Sequence, residues 1–197
     1  GGAGQETAAG SAPLTERMRS AHANPNTTRP GATRPAVLFI VALWALATGA
    51  QAANELPVAD RVVVDKSERW MRLYEGDEVL REFKISLGQE PEGDKRQEGD
   101  NKTPEGRYTL DVRNPDSDFF LSIRISYPSP SDAAAARAVG ADPGGQIMIH
   151  GQPNEPRYSP GFYASTDWTN GCIAVSNLAM IDIWLMTRPG TPIEIRP

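Results

Sequence analysis

The sequence predicts a mainly β domain, a mixed sandwich or barrel-like arrangement of roughly eight short strands with one or two short helices. Two observations carry that expectation. Short runs rich in Val, Ile, Leu, Phe and Tyr alternate apolar and polar residues at period two. Clusters of Gly, Pro, Asn and Asp separate those runs. The chain has no internal repeats, and helical patterning is confined to two short windows.

Before the strands begin, residues 1–35 are rich in Gly, Ala, Pro, Thr and Ser, without apolar periodicity, and are expected to be a disordered extension. Residues 36–47 (AVLFIVALWALA) are uncharged, follow Arg29 and Arg34, and precede the small-x-small triplet Ala50-Gln51-Ala52. Residues 36–52 therefore read as a secretory signal cleaved after Ala52, with a retained N-terminal anchor as the alternative and the sole expected membrane contact. The run falls short of the ~20 apolar residues of a spanning helix. The chain is therefore expected to be exported, with residues 60–196 as its folded domain.

Residues 61–65 (RVVVD) and 70–75 (WMRLYE) read as strands around a turn at 65–68, and Glu75-Gly76-Asp77 as a tight hairpin. A third strand, 79–87, places Val79, Phe83, Ile85 and Leu87 on one face, interrupted by Arg81. Residues 88–106 form a long, charged, glycine-rich loop, a length that marks either a functional segment or a solvated excursion. Strand 107–112 follows, then dense turn chemistry at 114–118. In 119–127 Phe119, Leu121, Ile123, Ile125 and Tyr127 alternate with polar neighbours. Ser131-Asp132 is the expected cap of a short helix to Val139. Residues 147–149 deliver His150, and 173–175 leave Cys172. Asn177 is the expected cap of a helix to Met186, with Leu178, Ile181, Trp184 and Leu185 facing the sheet. Residues 191–196 form the last strand.

The formal charge is −5. No basic block occurs, so nothing points to nucleic acid. From Ala53 onward the balance is 16 Lys+Arg against 23 Asp+Glu, or −7. Cys172 is the only cysteine, and His150 the only histidine after the export signal. In an oxidising compartment an unpaired cysteine signals an intermolecular bridge or a reactive thiol. A thiol becomes a strong nucleophile through an adjacent base, and imidazole suits proton transfer near neutrality. One Cys and one His without neighbouring carboxylates make a poor metal site. From residue types alone, a catalytic pair and a buried, inert thiol both remain open.

His150-Gly151, then Thr169-Asn170-Gly171-Cys172, Ile173 and Asn177 resemble the signature of L,D-transpeptidase catalytic (YkuD-type) domains. Residues 98–108 (EGDNKTPEGRY), 114–117 (NPDS) and 121–128 (LSIRISYP) add upstream matches, and the pattern looks like the periplasmic branch with a long His–Cys loop. The resemblance covers about residues 60–196. It implies an L,D-transpeptidase fold and an enzyme acting on peptidoglycan stem peptides without cofactor or metal. Cys172 would attack the diaminopimelate carbonyl of a tetrapeptide stem, release D-alanine, and pass the acyl group to an amine. By the same resemblance His150 is the general base, and Gly151, Asn170 and Gly171 are orienting or oxyanion positions. Asp167, Trp168, Thr169, Arg157 and Tyr127 are candidate substrate contacts. Two positions depart from the common pattern: Asn170 stands where many members have His, and Ala174 where many have Arg. One similar branch hydrolyses the bond between peptidoglycan and an envelope lipoprotein, so water is the alternative acceptor. A non-catalytic envelope-binding module is the reading from another class.

Overall fold

The computed structural model describes residues 56–197, so the expected extension and export signal lie outside the described residues. Among the described residues no helix is long and apolar enough to cross a membrane.

The domain is mainly β. The first strand, β1 (Arg61–Asp65), carries three successive valines, all buried, as suits a strand covered on both faces. It turns into β2 (Trp70–Glu75), and the Gly76-Asp77 hairpin, with Gly76 at φ 56°, returns as β3 (Glu78–Lys84). A register shift between Leu73 and Tyr74 leaves Val79 exposed rather than on the apolar face. Phe83, Ile85 and Leu87 are buried as the alternation requires.

After the long loop comes β4 (Gly106–Ser117), which runs straight through the segment expected to be a turn. The hairpin instead closes at Asp118-Phe119, with Phe120 at φ 68° opening β5 (Phe120–Ile125). Two register shifts in β4 absorb the Asn-Pro-Asp-Ser chemistry inside the strand. Helix α1 (Pro130–Ala138) has its cap two residues before the expected one, at Ser129. Ser129 and Asp132 form a reciprocal capping box there, and Pro130 sits in the first turn. Then follow β6 (Met148–His150), a short helix α2 (Pro160–Ser165) that the sequence pattern did not suggest, and β7 (Ile173–Ala174). The chain ends with α3 (Asn177–Met186) and β8 (Pro192–Arg196).

Strand order is β3-β2-β1-β8-β4-β5-β6-β7. The last strand therefore lies inside the sheet, parallel to β1 and antiparallel to β4. Because β4 pairs with β8 at its start and with β5 further along, it joins two sheet halves around one apolar core.

Helix α3 packs on β5 with a face other than the expected one. Ala179, Met180, Ile183 and Met186 are buried, whereas Leu178 is 78 % exposed, Leu185 53 % and Ile181 37 %. Trp184 packs partly against the core. The helix is apolar nearly all round, so periodicity could not choose a face. Ser176, not Asn177, caps the helix by accepting from the Ala179 amide. Ile183→Ala is expected to cost about 2–5 kcal/mol in urea unfolding, and Leu185→Ala less than about 0.5 kcal/mol. Equal losses would mean that the helix faces are assigned wrongly.

Candidate active site

Two short parallel strands bring the candidate pair together. In the β6–β7 register Ile149 lies beside Ile173 and His150 beside Ala174. Side chains alternate along a strand, so Cys172, two residues before Ala174, shares a sheet face with His150. Ile149 and Ile173 face the core, fully buried. Both Cys172 and His150 line one cavity of about 620 Å³.

The His150 ring is 4 % exposed, and its Nδ1 lies 2.7 Å from the Gly151 carbonyl. A carbonyl only accepts, so Nδ1 carries the proton and Nε2 is left as a lone-pair acceptor. Phe119 packs on the ring at 4.6 Å between centroids, and Trp168 meets it edge-on at 5.5 Å. Burial in this apolar shell pushes the imidazole pKa down to about 4, against a small upward pull from the Gly151 hydrogen bond. The ring is thus neutral at neutral pH.

Burial also pushes the Cys172 thiol up, opposed by a hydrogen bond with the Met148 backbone and by the positive charge of Lys95. The Sγ donates to the Gln146 carbonyl at 3.5 Å rather than to the imidazole. Cys172 and His150 share a cavity as a neutral, unbonded pair; donor and acceptor pairs left apart in this way tighten on ligand binding in many sites.

The expected orienting glycines are held by contact. A Cβ on Gly151 would stand 2.6 Å from Asn177 Oδ1. The same Oδ1 accepts from the Gln152 amide at 2.7 Å, which is what Asn177 does in place of capping α3. Gly171 has φ +123°, and a Cβ there would stand 2.6 Å from the Lys102 carbonyl. Its amide donates to Thr169 Oγ1 at 3.1 Å, so it is already engaged and does not serve as an open oxyanion donor. Thr169 in turn donates to the Cys172 carbonyl at 2.7 Å, so this buried residue ties the 169–172 turn while lining the Cys172 cavity. Asn170 is exposed at the cavity rim and accepts from Gln89 Nε2 at 3.2 Å.

Three expected substrate contacts are placed elsewhere. Asp167 accepts from Arg69 Nη2 at 2.8 Å, from Arg69 Nε at 3.0 Å, and from the Leu87 amide at 2.8 Å, so its carboxylate anchors the loop. Tyr127 is buried against Tyr108 and donates to the Pro143 carbonyl at 2.9 Å; Cys172 and His150 lie in a different cavity. Arg157 is exposed, and its amide donates to the Tyr163 hydroxyl at 3.1 Å. Trp168 does line the cavity, with its indole N–H buried and unpartnered among the described residues.

Several lining residues escaped sequence reasoning. Ser122 lies directly across from His150 in the β5–β6 register and is 2 % exposed. The ring of Phe119, Gln146, and Lys95 with Asn101 from the 88–105 loop also line the cavity. Only the length and charge of that loop hinted at them. A larger cleft of about 800 Å³ runs between Lys84–Ser86, the 152–164 segment and the start of α3, and contains neither Cys172 nor His150. Tyr163 lines that cleft and meets Trp168 of the Cys172 cavity edge-on at 5.0 Å.

Residues 59–195 match the YkuD family, described as the L,D-transpeptidase catalytic domain. A putative L,D-transpeptidase, YafK of Escherichia coli K12, is 35% identical over 112 residues, covering 54% of this chain and 42% of that protein. The chain thus matches less than half the length of this curated relative. Among solved structures, the helical cell shape determining protein Pgp2 of Campylobacter jejuni is similar. Its K307A mutant has 26% identity and a TM-score of 0.52, over 72% of this chain and 49% of that one. The Pgp2 structure without that mutation has 25% identity and a TM-score of 0.51, over 72% and 51%.

His150 governs the pH response of the fold between about pH 6.5 and 4. Its folded pKa of about 4 lies below the ordinary 6.5, so the unfolded chain binds a proton that the folded chain refuses. Stability is expected to fall as pH drops from about 6.5 to about 4, at up to about 1.4 kcal/mol per pH unit from this group, and below that the loss passes to Asp100, whose carboxyl is held at about 2. Urea unfolding across that range, with His150→Gln as the flatter control, checks the slope.

Proposed function

The chain belongs to the L,D-transpeptidase catalytic-domain family, and on that premise we propose that it is a peptidoglycan-modifying cysteine acyltransferase of the cell envelope. The observation that carries the reading is the shared cavity of Cys172 and His150, with the imidazole Nε2 kept free as an acceptor. The chemistry follows from a neutral pair. As Sγ attacks the carbonyl of a tetrapeptide stem, its proton passes to Nε2. The tetrahedral intermediate places its negative charge on the former carbonyl oxygen. With the Gly171 amide occupied by Thr169, the Cys172 amide is the proposed oxyanion donor. Collapse expels the terminal D-alanine, whose amine takes the proton from the imidazolium, leaving a thioester on Cys172. An acceptor amine then attacks the thioester, giving its proton to Nε2; the C–S bond breaks, and Sγ takes that proton from the imidazolium to restore the thiol.

A neutral imidazole in the resting state suits this sequence, because only the unprotonated Nε2 can take the thiol proton. No cofactor enters any step. The acceptor is proposed to be the diaminopimelate amine of another stem; water is the alternative, and the lipoprotein-cleaving activity of a similar branch would be its form. The periplasmic location is part of the proposal and rests on the export signal read at residues 36–52.

Incubation with purified muropeptides, followed by mass spectrometry, tests the reading. Crosslinked dimers lacking one D-alanine are the expected product, whereas free tripeptide would assign water as the acceptor. Cys172→Ala is expected to abolish both products, and His150→Ala to slow turnover by roughly 10²- to 10⁴-fold. A carbapenem is expected to leave a covalent adduct on Cys172 of the folded protein. An inert thiol with no turnover would leave the binding-module reading standing.

A further inference from the structure

The 88–105 loop is built as a rigid wall. Lys66, 2 % exposed, holds it from below, its Nζ donating to the Gly93 carbonyl at 2.7 Å, the Thr103 carbonyl at 3.0 Å and Glu105 at 2.7 Å. At the other side the loop is pressed on the catalytic turn. A Cβ on Gly88 would stand 2.1 Å from the Asn101 carbonyl, and the Lys102 carbonyl closes on Gly171. The Gln89 amide donates to the Thr169 carbonyl at 3.0 Å.

This wall presents a buried cation to the Cys172 cavity. Lys95 is 5 % exposed and lines the cavity. Its Nζ donates to Asp100 Oδ1 at 2.8 Å and to the Gln97 carbonyl at 3.0 Å. An ammonium has three N–H donors, so one is unassigned. Asp100, by contrast, is saturated. Oδ1 also accepts from the Lys102 amide at 3.1 Å, and Oδ2 accepts from the Arg96 amide at 2.7 Å and the Gln97 amide at 3.0 Å. Burial acts to raise the Asp100 pKa, yet the Lys95 hydrogen bond and those three amides outweigh it and hold the carboxyl at about 2. The carboxylate spends its charge on four donors, whereas the ammonium has one anionic partner and a donor to spare. Lys95 is also close enough to Cys172 for its charge to be felt at the thiol. Glu98, the other Lys, Arg, Asp or Glu side chain lining the cavity, is exposed and screened by water.

We propose that Lys95 binds the free carboxylate of the residue released by the reaction, so that the site selects stems whose scissile amide is followed by a single C-terminal amino acid. The inference rests on the acyltransferase reading above. In such a donor the attacked carbonyl and the terminal carboxylate are separated only by the amide nitrogen and one Cα. A cation fixed in the wall beside the nucleophile can therefore meet the carboxylate while Sγ meets the carbonyl. A stem extended by another residue, or closed as a carboxamide, offers no anion at that place. The pairing also aligns the scissile carbonyl, which is how distant binding contributes to rate.

The test uses the full chain and two synthetic disaccharide tetrapeptides, identical except that one ends in a carboxylate and the other in a carboxamide. The wild type is expected to lose roughly 10- to 100-fold in kcat/KM on the carboxamide, the range of a lost charge-assisted hydrogen bond. Lys95→Met is expected to bring the carboxylate substrate down to the carboxamide level and erase the difference, while Lys95→Arg keeps part of it. A purely structural role for Lys95 would slow both substrates and preserve their ratio. Should Lys95→Met not fold, the wild-type ratio still decides. Equal turnover of the two substrates by the wild type overturns the assignment, as does an unchanged ratio in folded Lys95→Met. Turnover of neither substrate would instead bring down the acyltransferase reading, and the Lys95 assignment with it.

Discussion

Everything at the candidate site depends on the register of two very short strands. β6 has three residues and β7 two, so their own ladder is too brief to fix anything. The register is imposed from outside. Ser86 pairs with Ala174 through reciprocal bonds of 2.9 and 2.8 Å, and Thr169 pairs with Leu87 and Gln89 on the same edge. On the other side, Ser122 to Arg124 hold His150 to Met148. A one-residue slip of β7 would turn Cys172 into the core and Ile173 into the cavity. The full burial of Ile149 and Ile173 makes that slip expensive, so hydrophobic packing below the sheet fixes the chemistry above it.

The electrostatics of the pair follow from the same packing. Aromatic rings of Phe119, Trp168 and Tyr163 gather over the His150 face of the sheet and exclude water. Exclusion favours the neutral form of both the imidazole and the thiol. In the proposed reaction the imidazole is a base that is ready and the thiol a nucleophile that is not, and charge separation waits for the attack itself. A thiol guarded in this way is also slow to oxidise.

The sequence made the two chemical residues legible because they were the only thiol and imidazole past residue 52. Motif spacing then supplied their partners. β1 and β2 were read to the residue, since period-two alternation and a Gly76 turn leave little choice. The misreadings share a cause. Asn114-Pro-Asp-Ser has turn chemistry, but register shifts in β4 tolerate it within a strand. Helix α3 is so uniformly apolar that its pattern pointed to Leu178, Ile181 and Leu185, while packing on β5 buries Met180, Ile183 and Met186. Asp167 lies beside the motif in sequence, yet its partner Arg69 is 98 residues away, which no local pattern can reveal. Ser122 and Lys95 became visible only once the register and the loop path were known.

The 151–170 segment is clamped at both feet and, between them, at the buried Tyr163, whose carbonyl accepts from Ser86 Oγ at 2.9 Å. At one foot Asn177 grips the Gln152 amide, and Asn154 bonds the Ser117 and Asp118 carbonyls. At the other, Arg69 grips Asp167. Between them, residues 155–162 are almost all exposed, stacked on one another through Tyr158 and Phe162. The segment is built like a suitcase handle. Its span can be lengthened, shortened or recomposed without loosening either fitting, and the strands bearing His150 and Cys172 lie beyond the fittings. Variation in what the domain accepts can therefore accumulate on that span while the reacting atoms stay where they are.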